Sequence, residues 1–178
     1  MSSYQNLLSP IKIGSLKVKN RVFFAPMATH LADKFGEPSE SAVEWYAARA
    51  RGGVGLIMPE AAYVSKQGRR GTFRLSLHED SRIEGNKKIV DAVHREGAHI
   101  FAQLHHGGKT APPEGMGEYP VGPSAVQYLL RHDIPWVGIV TRKLTKTDIE
   151  QLVDDFVMAS KRAYIAGYDG VCVHAAHG

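Results

Sequence analysis

The chain has a single cysteine, Cys172, among its 178 residues. No disulfide can form within it, and nothing in its thiol content calls for an oxidising compartment. No apolar run approaches the ~18 residues that span a bilayer. The opening stretch, residues 1–14, has no basic segment followed by an apolar one, so no signal peptide is expected and the expectation is a cytoplasmic protein without membrane association. There is also no basic cluster of the kind that reads nucleic acid. The net charge is +4, and the densest basic run, Lys66 to Arg70, is short. No nucleic-acid partner is expected; a mild positive surplus suits attraction of an anionic cofactor or substrate instead. None of the strand-to-helix turns carries the G-x-G-x-x-G fingerprint of a dinucleotide-binding open sheet.

What is present is ordinary globular material, 43% hydrophobic and 22% charged, with enough apolar residues for a sizeable core. Three stretches repeat one pattern of amphipathic helix, glycine and short apolar strand. The spacing predicts helices over about 39–51, 81–95 and 145–166, ended by Gly52-Gly53, Gly97 and Gly167. The strands that follow begin near Gly55, His99 and Gly170. Glycine just past a helix end supplies the left-handed cap that other residues adopt only at a cost. Thr145 and Asp148 form a T-x-x-D capping signature, and Ile149, Leu152, Val153, Phe156, Ala159 and Ala163 then make one stripe at helical spacing. That stripe is expected to face the core. A further strand near Val22 to Ala25 precedes the first helix, and Ile11 to Lys19 reads as a hairpin turning at Gly14-Ser15.

Strands alternating with helices argue for a parallel sheet of right-handed βαβ units. Four strands are expected, over about 22–27, 55–62, 99–105 and 170–175. A complete (β/α)₈ barrel needs eight strands and ~250 residues; four could also make an open doubly wound sheet. The Gly- and Pro-containing stretch from Gly107 to Lys143 is long for a connection, which marks functional excursions or disorder.

In parallel α/β folds the chemistry sits at the C-terminal ends of strands. Those ends read Ala25-Pro26-Met27-Ala28-Thr29-His30, Pro59-Glu60-Ala61-Ala62, Gln103-Leu104-His105-His106-Gly107-Gly108 and His174-Ala175-Ala176-His177-Gly178. Histidines, a glutamine and small residues gather at one rim. A glutamine in an apolar strand needs a partner, since an unpaired buried amide costs ~1–3 kcal/mol. His105 and His106 point to opposite sides of their strand, so at most one faces the site. H-x-x-H at His174 and His177, with Cys172, His105 and His106 near it, offers borderline and soft metal ligands. No acidic residue or second cysteine joins that cluster, and no metal ligands are assigned.

Five motifs in order resemble the old yellow enzyme family: N-R-V-F-F-A-P-M from Asn20, A-R-G-G-V-G-L-I-M from Ala50, Q-L-H-H-G-G-K from Gln103, G-P-S-A from Gly122, and A-G-Y-D-G-V-C-V-H-A-A-H-G from Ala166. The match runs from about residue 7 to the last residue. The resemblance implies an α/β fold, a (β/α)₈ TIM barrel of which the chain carries the N-terminal hairpin and about four βα units. Residues 1–178 would be the N-terminal half of one FMN-binding barrel domain.

The resemblance also implies roles. Ala25, Pro26, Met27, Ala28, Ala61 and Gln103 would bind FMN. His174 and His177 would be catalytic, donating hydrogen bonds to the carbonyl oxygen of an α,β-unsaturated substrate as negative charge develops there. His30 would line the substrate pocket with them. Ala28 stands where family members often carry Cys or Thr, Cys172 where they usually carry Glu, and Lys109 where they usually carry Arg. The family's proton-donating tyrosine falls beyond Gly178. The expectation is an FMN-dependent oxidoreductase that reduces an activated C=C bond of an enone or enoyl thioester, with NAD(P)H as electron donor, in a homo-oligomer, the chain being a truncated piece of it. Alternatives are a non-catalytic half-barrel module completed by a partner chain, and a His-rich metal-dependent enzyme.

Overall fold

The computed structural model of the chain describes residues 4–111, 120–127 and 140–176. A short helix α1 (Gln5–Leu8) leads into a hairpin, β1 (Ile11–Ile13) and β2 (Leu16–Val18). The register pairs Ile13 with Leu16, so Gly14-Ser15 is a two-residue loop. Gly14 has φ 60°, the backbone that such tight hairpins require and that glycine adopts without strain.

Then come β3 (Phe23–Phe24), α2 (Glu40–Arg51), β4 (Leu56–Ile57), β5 (Ala62–Tyr63), α3 (Ile83–Arg95), β6 (His99–His105), α4 (Lys146–Ile165) and β9 (Gly170–Val173); β7 (Val121–Gly122) and β8 (Arg142–Lys143) form a small pair inside the long excursion. The helix starts follow from capping. Ser39 accepts a hydrogen bond from the Ala42 amide, and Thr145 and Asp148 form a complete capping box. The expected second helix opens instead as a 3₁₀ turn over Asp80–Arg82 before α3.

All main-sheet pairings are parallel. β3 pairs with β4, both β4 and β5 pair with β6, and β6 pairs with β9. β4 and β5 lie on the same side of β6 and are one strand interrupted at 58–61, where Pro59 lacks a donor for the ladder. The strands therefore stand side by side in sequence order. With right-handed crossovers this order places every helix on one face. A doubly wound sheet instead reverses its order at a switch point and carries helices on both faces. The chain is a partial (β/α)₈ barrel.

The core is the layer between the sheet and its helices. On β6, Ile100, Ala102 and Leu104 are buried there against Ile89 and Val93 of α3 and Ala159 and Ala163 of α4. A side chain such as Ile89, fully buried, contributes about 1.5–3 kcal/mol. Phe101, Gln103 and His105 alternate onto the barrel interior. Two polar side chains inside the core pair with each other: the Tyr168 hydroxyl donates to Asn86 Oδ1 at 2.9 Å, and Asn86 Nδ2 donates to the carbonyls of Ser76 and Arg82. Burial pushes the Tyr168 hydroxyl far above its usual pKa.

The stripe on α4 does not behave as its spacing suggests. Ala159 and Ala163 are buried and Phe156 packs on the core, but Ile149 is 49% and Val153 58% exposed, with Val157 also exposed. Periodicity reports that a face is apolar; it does not report that something is present to cover it. The outward residues of β9, Val171 and Val173, are exposed as well, Val173 at 61%. Among the described residues no helix is long and apolar enough to cross a membrane.

Candidate active site

The C-terminal ends of the parallel strands enclose a cavity of about 190 Å³, lined by Pro26, Met27, Ala28, Ala61, Gln103 and His174, together with Tyr63, Arg70, Arg74 and His105. Six residues singled out in the sequence thus meet at one place. Ala25 precedes the cavity without lining it. His30 is exposed and holds φ 57°, outside the lining set. His177 lies outside the described residues.

Each strand end is held by its own local chemistry. The Pro26–Ala28 segment is followed by Thr29, whose amide and hydroxyl both donate to the Glu60 carboxylate at 3.2 and 2.9 Å. Glu60 is only 2% exposed. It also pairs with Arg74 at 3.3 Å, and its amide donates to the Tyr46 hydroxyl at 3.0 Å. Burial raises the Tyr46 pKa to about 12, so this hydroxyl stays protonated. One buried carboxylate thereby ties the end of β3, the gap between β4 and β5, and the loop carrying Arg74.

Gln103 faces the cavity from β6, and the register sets Cys172 of β9 directly beside it. Cys172 and His174 share that inward side, as their spacing requires. The His174 backbone amide donates to the Leu104 carbonyl at 2.9 Å, while His174 Nδ1 accepts from the Ala176 amide at 3.1 Å. With Nδ1 accepting, the neutral ring carries its proton on Nε2, which is then a donor.

Of the two neighbouring histidines, His105 is the one that faces the cavity. It is 8% exposed, and its Nδ1 is buried without a hydrogen-bond partner among the described residues. Burial, and after it the nearby His174, lowers its pKa to about 4. His106 turns away; its Nδ1 accepts from the Gly108 amide at 3.1 Å.

Sequence reasoning did not assign Tyr63, Arg70, Arg74 or Glu60. Tyr63 stands on β5, one residue past the expected strand end, and Arg70 and Arg74 follow it where no helical or strand period marks them. Glu60 carried a signal, an acidic residue between apolar strand halves, because a carboxylate there is buried only when partnered. The long excursion is described over 107–111, 120–127 and 140–143, and within it β7 and β8 pair.

Residues 6–178 match the family model described as NADH:flavin oxidoreductase / NADH oxidase family. The chain belongs to that family. It is 41% identical over its whole length to a NADH oxidase of Thermoanaerobacter brockii, covering 27% of that protein. It is 34% identical over 91% of its length to a NADH:acrylate oxidoreductase of Vibrio harveyi, covering 16% of that protein. Among solved structures, the old yellow enzyme homologue from Zymomonas mobilis superposes with a TM-score of 0.87 at 36% identity, over 96% of this chain and 48% of that one. The chain spans less than half the length of each of these relatives. The NADH:flavin oxidoreductase family uses FMN with NAD(P)H and acts on small molecules.

The residues present fit a flavin ring. The orphaned His105 nitrogen and the Gln103 amide border a cavity floored by small residues, Ala28 and Ala61. Its volume is below the ~300–1,000 Å³ of ordinary ligand sites, as expected where four of eight strands build the mouth.

Proposed function

We propose that residues 1–178 form the N-terminal half of a single FMN-binding barrel domain, and that the complete domain is a cytoplasmic NAD(P)H-dependent oxidoreductase that reduces an activated C=C bond. The observation that carries this reading is the convergence of Pro26, Met27, Ala28, Ala61, Gln103 and His174 on one cavity, from four separate strand ends.

In this reading Ala25 to Ala28 supply backbone alongside the flavin ring, with Ala28 small enough not to obstruct it. Ala61 leaves room at the ring's edge. Gln103 offers two donors and an acceptor to the pyrimidine edge. FMN held there would, once reduced by NAD(P)H, supply the hydride to the β-carbon of an enone or enoyl thioester. His174 donates from Nε2 to the substrate carbonyl, with His177 as the second donor, and preorganised donors of this kind act where charge develops. His30 extends the substrate side of the mouth. Arg70 adds positive charge there, which favours an anionic ligand. The acrylate named for the Vibrio harveyi relative is such a ligand, an activated alkene bearing a carboxylate.

The exposed faces support the half-barrel reading. β9 and β3 are the two edges of the sheet, and the apolar surface beside β9 and on α4 is where a fifth βα unit would pack. The remaining four units would close the sheet and remove both edges. Association of copies through the same surface is the homo-oligomeric alternative.

The test is a titration of the chain with FMN followed by flavin fluorescence, with Gln103→Leu beside it. Saturable binding that weakens about tenfold or more in the variant is expected, since the ring edge loses partners worth ~1–3 kcal/mol. A full-length barrel containing this half should reduce an enone with NAD(P)H and lose that turnover in His174→Ala. Absence of flavin binding together with unchanged turnover in His174→Ala overturns the reading.

A further inference from the structure

A second cluster of chemistry-bearing side chains lies at the opposite end of the barrel from the cavity. His94 is in the last turn of α3, His99 opens β6, and Asp169 immediately precedes β9. Their ligating atoms all lie within 4.8 Å of one another. His94 Nε2 meets Asp169 Oδ2 at 2.8 Å, and His99 Nδ1 lies 3.2 Å from Asp169 Oδ1. The sequence alone assigns no metal here, because His94 and Asp169 are 75 positions apart and no local spacing links them.

The hydrogen bonds around the cluster define its electronic character. His99 Nε2 faces the Lys17 carbonyl at 3.2 Å. A carbonyl only accepts, so Nε2 carries the proton and the neutral ring leaves a lone pair on Nδ1. That Nδ1 is buried and has no hydrogen-bond partner among the described residues. It looks onto a carboxylate oxygen, which is also only an acceptor. Asp169 is fixed in turn, because the Ile100 amide donates to its Oδ2 at 2.8 Å, leaving Oδ1 on the side of His99. A lone pair and a carboxylate oxygen at this separation need a positive charge between them, either the second proton that makes His99 an imidazolium paired with Asp169 or a metal ion, and His94 Nε2, which meets Asp169 Oδ2 at 2.8 Å, offers a third ligand atom to an ion.

We propose that His94, His99 and Asp169 bind a divalent cation of the zinc type, which fastens the end of α3 to the starts of β6 and β9. Two imidazoles and a carboxylate suit such an ion, and a tetrahedral shell with bonds of 2.0–2.1 Å sets ligands about 3.3 Å apart, close to the 3.2 Å already present between His99 and Asp169. The carbonyl held by His99 and the amide held by Asp169 are the outer contacts that orient metal ligands. Water completes the shell at the exposed His94 side. The site is structural: β6 has seven residues, so at ~3.3 Å per residue it stands about 20 Å from the His105 end, on the barrel face that governs stability. The proposal is independent of the flavin reading.

The test is calorimetric titration of the chelator-treated chain with zinc chloride, magnesium chloride serving as the control, followed by thermal melts. One zinc bound per chain and a raised Tm are expected, with no response to magnesium. His99→Gln and His94→Gln should each weaken zinc binding by about tenfold or more, while His174→Ala leaves it in place. No zinc-dependent rise in Tm, equal zinc binding in both glutamine variants, or loss of binding in His174→Ala would each overturn the proposal, the last by moving the ion to the histidines of the cavity.

Discussion

The His105 and His174 rings lie 4.7 Å apart, tilted by 54°. Two imidazoles this close repel each other when charged, and His105 is the buried one, with its pKa lowered to about 4. Its unfolded value is about 6.5. A folded value below the unfolded one means that the unfolded chain binds the extra proton. The stabilising contribution is therefore complete above pH 6.5 and is lost as pH falls towards 4. His106 and His78 are lowered by burial too and act in the same direction. Urea unfolding at pH 7 and pH 5 should show lower stability at pH 5, and His105→Gln should reduce that difference. A variant with the same pH dependence as the parent chain would contradict this assignment.

Glu60 is the carboxylate on which the floor of the cavity depends. Glu60→Ala leaves Arg74 and the Thr29 donors without their partner, and breaking a buried pair in this way costs about 3–5 kcal/mol. Glu60→Gln keeps the shape and one acceptor, so it should cost clearly less. Denaturant midpoints of the two variants give the comparison; equal midpoints would show that the network carries little.

Tyr168→Phe removes the donor to Asn86 Oδ1 in a buried position. The expected loss is about 1–3 kcal/mol, mostly from the acceptor left unpaired. The double variant Tyr168→Phe with Asn86→Leu tests the origin, because Asn86 also serves the carbonyls of Ser76 and Arg82. It should be less stable than the single variant.

The uncovered residues of α4 and β9 lead to a prediction about association. Sedimentation of the chain over a range of concentrations should show self-association. Val153→Glu combined with Val157→Glu should shift it towards monomer without lowering Tm, since both side chains are exposed in the single chain. Concentration-independent monomer in the parent chain would contradict it.

Much of this architecture was legible in the sequence, for identifiable reasons. The three helix ends are marked by glycines that do adopt positive φ, 98° at Gly53, 70° at Gly97 and 91° at Gly167, and the Thr145/Asp148 box fixes a start. Pro26 to Ala28, Ala61, Gln103 and His174 stand at strand ends that local period and punctuation define, and the family resemblance is what singled them out there. Arg70 and Arg74 reach the cavity from an irregular loop, and such a path has no period to read; Tyr63 stands on the two-residue β5, too short a strand to show one. The α4 stripe shows the complementary limit. Ile149 and Val153 fit the helical spacing as well as Ala159 does, yet burial depends on a neighbour that spacing cannot supply. The His94, His99 and Asp169 cluster was invisible for a related reason: three elements far apart in the chain meet only once β9 lies beside β6.

The side-by-side order of β3, β4, β6 and β9 also bears on how the chain is made. Each new strand finds its pairing template in the strand already synthesised before it, never in one still to come. Emerging from a ribosome at ~5–20 residues per second, every βα unit can dock as soon as it is free. The growing sheet then carries only one advancing edge, and that edge is the one nascent chain reaches next.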